Sequence, residues 1–315
     1  MMMENDKYCE LHVHLEGCVW KGHIARWWNK SGYLFEPPRY SSDRCFARFL
    51  EHIRFGYNFL NLPEAYAAVV CDYARQAIHH GIVYAELQIN LALLNTWGLD
   101  IEEVLDVIVS EADKLVKKPV LRFIVDLPWQ FSAKNFETIL NRKSTLTELG
   151  VVGISMGGEE HFARINEVGQ VFEEARKLGF KTLCHAGELT DTGFARELIE
   201  TLQPDRVAHA ITIADWISEM GPNAPPIDVC LTSNLLTGVI NNYDKHPLLE
   251  WYKSGVSFSL STDDPAIFNI NLANEFAIAK KMFPELQNDL SWIKRGYLAG
   301  AFDIKSAKKA LGLNV

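Results

Sequence analysis

Residues 8–17 read Tyr8-Cys-Glu-Leu-His-Val-His-Leu-Glu-Gly17. The run Tyr8–Val13 is β-rich, and the period of two along a strand sends His12 and His14 to one face near its end. Two imidazoles leaving a strand together do not make a metal site, because histidine also serves as an ordinary half-buried side chain. The recurrence of such runs decides the reading. Seven more follow, at Ile82–Gln88, Val120–Leu127, Val151–Met156, Lys181–His185, Arg206–Ala210, Ile227–Leu231 and Val256–Ser261, with helical stretches between them. Gly81, Gly150, Gly179 and Gly255 precede four of these runs, where a left-handed cap ends a helix. Strands alternating with helices predict parallel β–α–β units, and eight of them predict an α/β fold, the (β/α)8 TIM barrel.

In such a barrel the C-terminal strand ends form one rim, so residues far apart in sequence meet there. His185 closes its strand as Cys-His-Ala-Gly-Glu and His209 closes the next as Arg-Val-Ala-His-Ala. Asp263 and Asp264 follow the last as Ser-Thr-Asp-Asp-Pro. Histidines plus a carboxylate, without thiolate, suit a catalytic zinc site that keeps a position open for water.

Length and composition set the frame. A chain of 315 residues, 48% hydrophobic and 23% charged, can bury a large core. The predicted organisation is one domain, 1–315. A net charge of −9 argues against a nucleic-acid partner, which needs clustered Lys and Arg. Glu4, Asp6 and Lys7 interrupt any apolar signal run, and no later stretch reaches the ~18 apolar residues of a membrane span. The expectation is a cytoplasmic protein acting on a small molecule. Six scattered cysteines, without a CxxC pair, read as reduced and packed.

About 65 residues separate the first two strands, too many for one crossover helix. Phe46, Phe49, Leu50, Ile53 and Tyr57 recur at helical spacing, and Pro63–Glu64 opens a second helix reaching His80. This helical insertion between strands 1 and 2 is placed to wall a pocket at the barrel mouth. Trp27 and Trp28 lie in it, as core or as pocket wall. Ile304 to Leu313 reads as a basic amphipathic helix stopped near Gly312.

Six segments in order, Glu10–Gly17, Gly153–Glu159, His185–Glu188, Arg206–His209, Thr232–Gly238 and Ser261–Pro265, give the chain a resemblance to the adenosine deaminase family of the amidohydrolase superfamily. The resemblance implies one Zn2+ per chain on His12, His14, His185 and Asp263, with a water in the fifth position. It implies that His209 orients that water and that Glu188 donates a proton to the purine ring. It further implies base contacts from Asp264 and the backbone near Gly158, and a sugar contact from Glu16, one methylene longer than the acid usual there. His14 also lies on the substrate side. The chain departs from the family pattern at Gln88 and at Asp126–Trp129, where arginines are usual. Ser155 replaces an aspartate and Ala210 a glycine.

The implied reaction is zinc-dependent hydrolytic deamination of adenosine or 2′-deoxyadenosine to the inosine form plus ammonia. Alternatives are a deaminase of a 5′-modified adenosine such as 6-aminodeoxyfutalosine, or another metal-dependent amidohydrolase. The free-base adenine branch fits less well, because its usual replacement of Thr232-Ser-Asn is absent. A catalytically dead binding protein would not need Glu188, His209 and all four ligands.

Overall fold

The computed structural model describes residues 7–20, 22–23, 44–287 and 289–314. Trp27 and Trp28 lie outside the described residues. Eight strands, β1 (Tyr8–His14), β2 (Ile82–Asn90), β3 (Val120–Pro128), β4 (Val151–Gly157), β5 (Lys181–Ala186), β6 (Arg206–His209), β7 (Ile227–Val229) and β8 (Phe258–Leu260), lie side by side in sequence order. Every neighbouring pair is parallel. The sheet closes through a bridge between Val13 and Asp263. There the His14 N–H donates to Asp263 O at 2.8 Å and the Asp263 N–H to His12 O at 3.1 Å. The fold is the expected (β/α)8 barrel, and its seam falls between two candidate ligand segments.

Three strands end earlier than the sequence suggests. Ala210 leaves β6 with φ 55°, and β8 spans only Phe258–Leu260. Leu231, read as the end of β7, instead opens the helix Leu231–Leu236. Leu231 is fully buried there, so apolar character runs unbroken from strand to helix and hides the boundary. Periodicity cannot separate the two when both are core.

The core lies mainly between the outer faces of the strands and the surrounding helices. Cys184, beside His185, packs into this wall, and the six cysteines are free thiols. The insertion contributes the helices Phe46–Tyr57 and Pro63–His79, the latter with proline in its first turn. Phe49 and Ile53 form a separate small cluster with Phe268, and the Phe49 and Phe268 rings stack at 5.6 Å. Phe268 ends the short helix Pro265–Phe268 that follows Asp264, so the insertion packs against the segment that carries the rim aspartates. The last helix, Ile304–Leu311, is capped by the Asp303 side chain and stops at Gly312 in the left-handed conformation. Among the described residues no helix is long and apolar enough to cross a membrane.

Candidate active site

His12 and His14 leave β1 toward the barrel axis, where they meet His185 from β5, His209 from β6 and Asp263 beyond β8. Asp263 Oδ1 lies 3.2 Å from His12 Nε2 and 3.3 Å from His14 Nε2. His14 Nε2 is 3.2 Å from His185 Nε2. One ligand atom each from His12, His185, His209 and Asp263 falls within 4.8 Å of the others, and all four residues are buried. The five side chains therefore converge on one point. The set of four takes in His209 where the resemblance implied His14, whose Nε2 adjoins both Asp263 and His185.

The backbone is bent to make this happen. His209, Ala210 and Asp263 have φ of 67°, 55° and 65°, a region costing a non-glycine residue of order 1–3 kcal/mol. Strain of this kind persists where the surroundings hold it, and here it turns His209 and Asp263 inward at their strand ends. Gly157 makes room for His185, since a Cβ at Gly157 would lie 2.7 Å from His185 Nδ1. The His185 Nδ1 is 3.1 Å from Met156 O, which fixes that ring with Nε2 free.

Burial holds His185 well below the usual histidine range and His14 down to about 3, so both are neutral imidazoles. Burial would raise Asp263, but the hydrogen bond with His12 and the charges of His12 and His209 hold its carboxylate well below the usual range. For His12 burial works downward and is outweighed by Asp228 and Asp263, which push it up to about 9. A proton shared between two carboxylates marks a place where a cation is wanted. Imidazoles with one ionised carboxylate and no thiolate form a donor set that fits zinc.

A cavity of about 510 Å³ opens onto this cluster, lined by His14, His185, His209, Asp263 and the remaining predicted contacts Glu16, Gly158, Glu188 and Asp264. Glu188 Oε2 stands 3.7 Å from His209 Nε2. Burial, reinforced by the charges of Asp263 and Glu160, pushes the Glu188 carboxyl well above the usual range, as a proton donor requires. Asp264 is also raised well above the ordinary value, by burial and then by Asp263. Neither of its oxygens has a hydrogen-bond partner among the described residues. Two orphaned polar atoms facing a cavity call for a ligand partner, because leaving them unpaired costs ~1–3 kcal/mol each. Gly17 is what lets Asp264 sit there: a Cβ on Gly17 would lie 2.1 Å from Asp264 Oδ1. Gly158 has φ 78° and brings main chain to the pocket wall. Glu16 is partly committed, its Oε1 accepting the Asn90 N–H at 3.0 Å.

Three of the departures noted in the sequence, Gln88, Asp126 and Ser155, lie on the neighbouring strands β2, β3 and β4. Gln88 Oε1, Asp126 Oδ1 and Ser155 Oγ are buried without a partner among the described residues. Gln88 Nε2 reaches the candidate ligands, 3.1 Å from His12 Nε2 and 3.4 Å from His14 Nε2. Sequence reasoning missed several supporting residues. Ser233 Oγ donates to Asp263 Oδ2 at 2.7 Å, and Asn234 Nδ2 lies 3.1 Å from His209 Nδ1. Both sit in the Thr232–Gly238 segment, whose helix periodicity shows only that they face inward. Glu160 and Asp228 carried no signal at all, since a buried acid outside a motif looks like a surface one.

The adenosine deaminase family profile matches residues 8–315. The chain belongs to the adenosine deaminase family, and it is a deaminase-type hydrolase. It is 29% identical over 87% of its length to an aminodeoxyfutalosine deaminase of Acidothermus cellulolyticus, covering 82% of that protein. It is 26% identical to an adenine deaminase of Sinorhizobium fredii, over 94% of each chain. In three dimensions it superposes on an amidohydrolase from Burkhoderia ambifaria, solved with bound Zn, at TM-score 0.81 and 22% identity, covering 97% of this chain and 89% of that one.

Proposed function

We propose that the chain is a mononuclear zinc deaminase of 6-aminopurine nucleosides, converting adenosine or 2′-deoxyadenosine to the inosine form plus ammonia. The observation that carries this reading is Glu188, a buried carboxyl 3.7 Å from His209 and pushed well above its usual range beside a cluster of candidate metal-ligand side chains. His12, His14, His185 and Asp263 would hold the ion. What the metal supplies when bound is a water acidic enough to attack at neutral pH. His209, whose Nε2 faces the cluster and stands 3.7 Å from Glu188, would orient that water for attack. Glu188 gives its proton to the ring nitrogen beside the attacked carbon, which draws electrons from that carbon. Asp264 and the main chain at Gly158 hold the other side of the base, and Glu16 takes a hydroxyl of the sugar.

A second reading, a 5′-modified adenosine such as 6-aminodeoxyfutalosine, is favoured by the pocket wall. Phe46, Phe49, Leu50, Trp97 and Phe131 line the outer cavity, giving apolar surface beyond the base. The named activity of the Acidothermus relative agrees with it. A screen for ammonia release from adenine, adenosine, AMP and 5′-extended adenosines tests both. Turnover of either nucleoside class supports deamination at this site, whereas release from free adenine alone would contradict the nucleoside assignment.

A further inference from the structure

We propose that Asp228, clamped by Arg206, is a positioning residue that sets the tautomer and aim of His12 toward the metal. The proposal rests on the zinc-site reading above.

Asp228 projects inward from β7, where one of its oxygens serves two partners. Its Oδ2 accepts from Arg206 Nε at 2.8 Å and pairs with His12 Nδ1 at 3.1 Å, while Oδ1 accepts from Ser259 Oγ at 3.2 Å. All three members of the chain Arg206, Asp228 and His12 are fully buried. The arginine cannot swing away. Its Nη1 donates to Glu86 Oε2 and to Gly300 O, each at 2.7 Å, and its Nη2 to Leu11 O at 2.7 Å. Its guanidinium also lies over the Phe302 ring at 4.2 Å. Because Leu11 O belongs to the residue before His12, the same arginine holds both the backbone and the side-chain partner of that histidine.

An imidazole whose Nδ1–H is given to a carboxylate keeps Nε2, the atom 3.2 Å from Asp263 Oδ1, as the nitrogen a metal can claim in place of a proton. Without Asp228 the ring is free to carry its proton on Nε2, where it would occupy the ligand position. Packing alone does not require this arrangement. Apolar side chains fill a barrel interior at lower desolvation cost than an arginine and two carboxylates, so the ionic chain is retained for what it orients.

The test compares zinc affinity, by competition with a chelating indicator, in the parent, Asp228→Asn and Glu86→Gln. Both substitutions remove a charged partner of Arg206, but only the first touches His12. The expected result is zinc binding weakened about 10- to 100-fold in Asp228→Asn and altered less than about threefold in Glu86→Gln. Equal effects, or none in Asp228→Asn, would overturn the proposal and leave the chain a structural one. Should Asp228→Asn fail to fold, the zinc-loaded parent with 15N-labelled histidine decides. A protected, strongly downfield His12 Nδ1–H signal is expected, and an ordinary, freely exchanging one contradicts the hydrogen bond. A parent protein that binds no zinc would refute the metal-site reading instead.

Discussion

Glu160 Oε1 accepts the backbone N–H of Glu188 at 2.7 Å, and its Oε2 accepts the N–H of Gly187 at 3.1 Å. Thr190 adds its N–H and its hydroxyl to the same carboxylate. One buried acid thus holds the turn that carries the proposed proton donor. Its charge also helps keep the Glu188 carboxyl protonated.

Replacing Glu160 by Gln removes that charge and half of the acceptor capacity while keeping the side-chain volume. Hydrogen bonds to charged groups are worth ~1.5–3 kcal/mol, so turnover falls by about tenfold or more with zinc content unchanged. Steady-state rates and elemental analysis on one preparation check this, and a parent-like rate would detach Glu160 from Glu188.

Gly17→Ala tests the seating of Asp264. The new Cβ would lie 2.6 Å from the Asp264 Cα as well as against its carboxylate, and main chain does not yield as a flexible side chain does. Affinity for a purine inhibitor is expected to drop by about tenfold or more, an energy of ~1.4 kcal/mol. Zinc should stay bound, because the three atoms nearest the added Cβ all belong to Asp264. An unchanged inhibition constant would show that Asp264 does not contact the base.

Ala210 occupies a left-handed position at the end of β6. Its φ of 55° penalises any Cβ, so Ala210→Gly is expected to raise stability by about 0.5–1 kcal/mol without loss of activity. Chemical denaturation of parent and variant measures it. Destabilisation would mean that the methyl group packs better than the strain costs.

The barrel was legible because its signal is local and repeated: eight β-rich runs, each followed by helical spacing. The rim residues His185, His209 and Asp263 were legible because each ends a run. Where strands end was not, since Leu231 is as buried in its helix as Val229 is in its strand. The supporting shell was also hidden. Asp228 sits 216 residues from the histidine it pairs with, and no periodicity links positions joined only by barrel closure. Asp126 and Ser155 stood out as departures from the family, yet only coordinates show that both keep unpartnered atoms.

His14 and His209 compete for one ligand place in the geometry, and metal content separates them. His14→Ala is expected to lose zinc and activity together. His209→Ala is expected to keep near-stoichiometric zinc while turnover falls by on the order of 10²-fold. The reverse pattern would exchange their roles.

Glu188→Gln isolates the proton transfer itself. The amide keeps the size and polarity of the side chain but has no proton to transfer to a purine nitrogen. On the zinc-loaded variant, ammonia release from the best substrate and affinity for the product nucleoside are measured together. The expected result is parent-like zinc content, nucleoside affinity within a few-fold of the parent and a rate lower by on the order of 10²-fold or more. A Glu188→Gln protein that releases ammonia at close to the parent rate would contradict proton donation by Glu188.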